Sequence, residues 1–183
     1  MSDSEKSSIC RGFIEHTLKY NQTARKLVDS IEELGCEIPS DFFVCRPCGA
    51  EMGITGGFAV PSPGQTYKPQ IVVCDDKHLS KKLVTNTLVH ELVHAYDFCK
   101  SKINASSCVQ RACTEIRASA LSDECNLSAE IMRGNVHLNN GHSLCVKRRA
   151  RLSLECDPVC KEGAERYVTS VFGECYRDKS PLE

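Results

Sequence analysis

"NTLVHELVHAYDFCK", residues 86–100, places His90 and His94 four positions apart with Glu91 beside the first. On an α-helix, residues i and i+4 lie one turn apart on the same face, so both imidazoles reach a single ion. Glu91 is turned about 100° from His90, which sets its carboxylate beside that ion and not on it. From there it accepts the proton of a water attacking a peptide carbonyl, the logic of the H-E-x-x-H arrangement. The competing reading is an amphipathic helix that happens to carry two histidines. Leu83, Val84, Thr87, Leu88, Val89, Leu92 and Val93 make the surroundings apolar. A buried helix gains nothing from two imidazoles and a carboxylate that each need a partner. The metal reading is preferred.

A catalytic zinc needs a third protein ligand and one open position. The extended motif with Gly and His after the second histidine is excluded, because those positions hold Asp97 and Lys100. A glutamate from the next helix is the alternative. Glu115 in "CTEIRAS" follows His94 after 20 intervening residues, enough for a turn and a returning helix. It competes with a plain surface role. Asp97, one turn beyond His94, is the candidate to orient an imidazole, or a less favoured ligand. His137 and His142 are candidates to donate to a tetrahedral oxyanion, with surface histidine as the default for both.

Thirteen cysteines in 183 residues are the outlier of the composition. They are dispersed, whereas zinc modules group theirs in tight pairs. Cys45-Arg-Pro-Cys48 has no second such pair to complete four ligands and no βαβ surroundings. The pattern predicts several disulfides and, the count being odd, at least one thiol left over. Cys99 is read as structural. Disulfides need an oxidising compartment, yet "MSDSEKSSICRGF" carries neither a secretory core nor an Arg-rich targeting pattern. The three glycosylation sequons at Asn21, Asn104 and Asn126 carry no weight without secretory entry.

Hydrophobic content of 41%, charged content of 26% and a net charge of -1 describe a globular chain with no electrostatic case for nucleic acid or an anionic membrane as the main partner. No run is apolar enough to span a bilayer, so no transmembrane segment is expected. Helical spacing runs from Ile9 to Leu34, with the polar stretch Asn21–Lys26 as a possible break and Gly35 as a stop. Loop and a short strand ending at Val60 follow, then the strand "QIVVC" (70–74), which can pair back on Gly57–Val60. A helix from a Ser80 cap to Cys99, another over 108–122, and one or two in the tail, broken near Asp157-Pro158, complete the order. "VKRRARL" (146–152) reads as a solvated helix face, with a docking patch as the minority reading. The expectation is a small α+β, zincin-like, disulfide-rich domain over residues 9–183, behind a flexible segment 1–8.

"GGFAV", "QIVVCDD", "VTNTLVHELVHAYDFCK", "RACTEIRASALSDEC" and "SLCVKRRARLSL" together resemble the mitochondrial intermembrane-space metalloprotease family that matures and assembles the membrane sector of ATP synthase. The match runs from about Ser30 to Tyr176. The resemblance implies an endopeptidase with one catalytic Zn2+, attached peripherally to the inner membrane. It implies clipping of the ATP synthase subunit a (subunit 6) precursor, and a chaperone role in assembling that subunit that needs no proteolysis. Entry without a cleaved presequence, followed by trapping through disulfide formation, would then reconcile the cysteines with the N-terminus. Cys108, Cys156 and Cys160 fall outside the cysteine set the resemblance carries. The alternative is a non-catalytic assembly factor with a zinc site. Glu91 discriminates, since a structural zinc has no use for a carboxylate there.

Overall fold

Asn21 divides the first helical run in two. Its backbone N–H donates to Thr17 O and closes α1 (Asp3–Tyr20), while its side-chain oxygen accepts from Ala24 N at 2.9 Å and opens α2 (Gln22–Glu33). The computed structural model describes residues 2–49, 54–61, 66, 68–76, 79–101, 103–104, 106–135 and 139–183. The polar residues 3–8, expected to be flexible, are the first turns of α1, capped by the Ser2 side chain. Asp3 and Glu5 there complement the helix dipole. Gly35, at φ 83°, takes the left-handed conformation that ends α2.

A three-stranded sheet follows, in the order β1-β3-β2, formed by β1 (Phe43–Arg46), β2 (Gly56–Ala59) and β3 (Gln70–Cys74). β2 pairs antiparallel with β3, Gly57 opposite Val72 and Phe58 opposite Ile71, the pairing back of 70–74 that the sequence allows. β1 pairs parallel with β3, Phe43 opposite Ile71. That strand is not evident from the sequence, where four residues between Pro39 and Pro47 read as loop. Its partner lies far along the chain, and only the buried central strand, Ile71 to Cys74, makes it a strand.

The motif helix is α3 (Lys81–Ser101), and Ser80 Oγ accepts from Leu83 N at 3.2 Å at its start. Then come α4 (Cys108–Leu121), the short α5 (Leu127–Met132), α6 (Gly141–Glu155) and α7 (Ala164–Cys175). The molecule is α+β. Among the described residues, no helix is long and apolar enough to cross a membrane.

The chain forms two compact units, Met1–Cys99 and Lys100–Glu183. In the first, Cys10–Cys45 ties α1 to β1, Cys36–Cys99 ties the end of α2 to α3, and Cys48–Cys74 closes the end of the sheet. In the second, α4 packs against α6 and α7 around Ala112, Ile116, Val146, Ala150, Leu154 and Val168. Cys108–Cys160, Cys113–Cys175 and Cys125–Cys145 staple that core. Cys45 and Cys48 each bridge elsewhere, and Cys108 pairs with Cys160, two of the three cysteines outside the set that the resemblance carries. Cys156 is the thiol left over, and it is exposed.

Candidate metal centre

The sheet positions the motif helix by backbone contact. A Cβ on Gly56 would lie 2.5 Å from Thr87 Cγ2 and 2.6 Å from Val72 O, so only glycine lets β2 approach α3 this closely. Thr55 and Thr87 hydroxyls hydrogen-bond at 2.8 Å beside that point. Farther along, the Phe58 ring meets the Phe98 ring edge-on at 5.8 Å. These contacts bracket the stretch that carries His90 and His94. On another side, Thr17 of α1 and Thr85 of α3 share a hydrogen bond of 2.8 Å, and Cys99 is bridged to Cys36. Val84, Leu88, Leu92 and Val93 are fully buried, which fixes the rotation of α3 about its axis. That rotation decides where the histidines point.

His90 and His94 are half-buried, with ring centroids 4.8 Å apart and planes at 71°. A ligand nitrogen of one lies within 4.8 Å of a ligand nitrogen of the other, the spacing two imidazoles need to share an ion. Glu91 is 7% exposed, and Asp97 is 8% exposed two residues before Cys99. A carboxylate held this far from water at the side of a histidine pair suits a group that takes protons. The donor set of the pair fits a zinc-class metal: neutral nitrogen ligands on one rigid helix.

Glu115 is half-buried in the middle of α4, in the second unit. Two residues later, Arg117 is almost completely buried and holds the C-terminal segment, with an ion pair to Asp178 at 2.7 Å and hydrogen bonds to Asp178 O and Ser180 O. Nothing in the sequence marks that clamp, because a single arginine in a helix reads as surface. His142, in the first turn of α6, is 2.8 Å from the Tyr176 hydroxyl. Burial, with the Lys179 charge, holds its pKa below the ordinary histidine value. His137 lies outside the described residues.

Residues 8–183 match the model of the Peptidase M76 family. The chain is 36% identical over 160 residues to the mitochondrial inner membrane protease atp23 of Schizosaccharomyces pombe, covering 86% of this chain and 82% of that protein. To the mitochondrial inner membrane protease ATP23 of Lodderomyces elongisporus it is 37% identical over 185 residues, 98% of this chain and 73% of the other. The protein of the same name in Yarrowia lipolytica is 36% identical over 177 residues, 95% and 67% of the two chains. No solved structure matches. With a histidine pair and an adjacent carboxylate on its most buried helix and a family match over nearly its whole length, the chain belongs to the Peptidase M76 family and is a metallopeptidase.

Proposed function

We propose that this metallopeptidase is a zinc-dependent endopeptidase of the mitochondrial intermembrane space, attached peripherally to the inner membrane. Its proposed substrate is the ATP synthase subunit a (subunit 6) precursor, whose assembly it also assists. The observation that carries the catalytic part is Glu91, buried beside the His90–His94 pair on one rigid helix. His90 and His94 would hold the ion, with Glu115 as third ligand and Asp97 orienting an imidazole. When bound, zinc supplies Lewis-acid polarisation of the scissile carbonyl and acidifies water.

Glu91 takes the proton from the attacking water and returns it to the departing amine nitrogen. Its burial keeps competing solvent away from the carboxylate and strengthens its field at the reacting atoms. β2 supplies a place for the peptide. It has β3 on one side and, among the described residues, no strand on the other, and it runs beside the stretch of α3 that carries the motif. An extended substrate adding to that edge would pass alongside His90 and Glu91. The compartment is supported by six disulfides, which persist only where thiols are oxidised. The names of the relatives support the inner membrane, and the resemblance of the quoted motifs supports the substrate.

The test is Glu91→Gln in the purified zinc-loaded protein, with a subunit a precursor segment as substrate. Zinc content and melting temperature should match the parent, while cleavage falls ~10²–10⁴-fold. Near-normal cleavage would remove Glu91 from the mechanism, whereas a zinc-loaded parent that cleaves nothing would favour the assembly-factor reading.

A further inference from the structure

Ser119 carries a hydroxyl that α4 itself does not use. The residue is 1% exposed, and its Oγ, buried from water, meets no hydrogen-bond partner among the described residues. A serine or threonine inside a helix ordinarily donates to the carbonyl four residues back. Two hydroxyls of this chain do so: Ser122 Oγ donates to Ala118 O at 2.8 Å, and Thr17 Oγ1 donates to Phe13 O at 2.8 Å. Ser119 has the same option at Glu115 O and does not take it, so its hydroxyl is turned elsewhere. Packing alone would be served better by alanine, the residue on either side at 118 and 120. Alanine is as small, forms helix more readily and has no polar atom to satisfy. A buried donor retained against that preference points to an acceptor for it.

The acceptor one turn back on the same helix is the Glu115 carboxylate. Side chains of a helix tilt toward its N-terminus, so Ser119 leans over Glu115. This chain shows that the pairing is reachable at that spacing: on α7, Thr169 Oγ1 donates to Glu165 Oε1 at 3.2 Å, also four residues back. Glu115 Oε2 is buried from water, as Ser119 Oγ is. We propose that Ser119 is a positioning residue for Glu115, its hydroxyl donating to one carboxylate oxygen and leaving the other for the metal. A carboxylate with one oxygen tethered offers the ion a single donor in a fixed direction. Untethered, it swings between one-oxygen and two-oxygen contact, and affinity falls. The inference rests on Glu115 as the third ligand, proposed above, and involves α4 alone.

The test uses the oxidised full chain, stripped of metal and titrated with zinc in competition with a chromophoric chelator. Ser119→Ala should weaken zinc binding by about tenfold or more. Its metal-free melting temperature should equal or exceed the parent's, because a buried hydroxyl without a partner has been removed. Cobalt bound in place of zinc should give an altered visible spectrum in the same variant. Glu115→Ala should weaken zinc at least as much, and Ser119→Ala added to it should change nothing further, since one residue acts through the other. Parental zinc affinity in Ser119→Ala, with Glu115→Ala weakened, overturns the assignment and leaves Glu115 a ligand. An equal loss from Ser119→Ala in both backgrounds overturns it too, because the hydroxyl then acts elsewhere. So does a loss of affinity that comes with a lowered metal-free melting temperature, which makes Ser119 a packing residue. If Glu115→Ala binds zinc as the parent does, the ligand reading itself is wrong and Ser119 has nothing to position.

Discussion

Gly56 is where one atom decides the placement of the motif helix α3. Its missing Cβ lets the β2 backbone lie against Thr87, one turn before His90 and Glu91. Gly56→Ala should destabilise the protein by about 1–3 kcal/mol, as overpacking does, and displace the motif. Thr87→Ser removes Cγ2 but leaves the second obstruction, Val72 O, at 2.6 Å. The double variant should therefore recover only part of the lost melting temperature. Full recovery would show that the side chain alone sets the approach. The residues with chemistry of their own, His90, Glu91 and His94, were legible because one helix periodicity spaces them. Gly56 was not, because its role is defined by an atom that is absent and a neighbour 31 positions away.

Among the elements, helices were legible and partners were not. Ser80 announced a helix start and the structure places a cap there; it places two more at Ser107 and Asn21, which the sequence reading does not single out as starts. β1 was missed because a four-residue strand has too little pattern, and α5 because its pattern is inverted: Glu130 is buried against Arg148 and Arg133, while Leu127, Ile131 and Met132 are exposed. Its Glu130 clamp also gives the second unit a pH dependence. Burial alone would raise the Glu130 pKa, but hydrogen bonds from Arg148 and Arg133, with their charges, outweigh it and hold it below the ordinary value. Asp178 is lowered too: burial opposes, while the Ser180 hydrogen bonds and Arg117 prevail. A depressed carboxylate gives stability that is present above its unfolded pKa and lost as pH falls through the folded one. Asp75, at the end of β3, has the opposite sign. Burial and the neighbouring Asp76 raise its pKa, so its contribution is present in acid and lost as pH rises through the folded value. Glu130→Gln should lower stability at neutral pH by about 1–3 kcal/mol, since two guanidiniums lose a charged acceptor. Its melting temperature should converge with the parent as pH drops below the carboxylate range. A constant gap at all pH values would exclude the clamp as the cause.

For the whole molecule, the sequence predicted disulfides and a leftover thiol but not their pairing, since any two cysteines are equally good partners until the fold brings them together. A bridge that closes a long loop stabilises by ~2–4 kcal/mol. A domain has only about 5–15 kcal/mol in all. Six bridges, closing separations of 20 to 63 residues, are thus a dominant part of this fold. Strong reductant should lower the melting temperature sharply even with zinc in excess, whereas a chelator should abolish cleavage with a much smaller thermal effect. Unfolding by chelator with resistance to reductant would mean that thiolates, not bridges, hold the chain.

The pairing has a further consequence for how the protein is made. Every bridge joins cysteines on the same side of the stretch between Cys99 and Cys108. Viewed as a network of covalent links, the chain is two closed meshes joined by a single thread. The first mesh needs no cysteine from the second, so an oxidant meeting the chain from its N-terminus can finish one half before the other arrives. Mispairing is then a problem of six cysteines at a time, with Cys156 as one spare in the later half, in place of a single problem of thirteen.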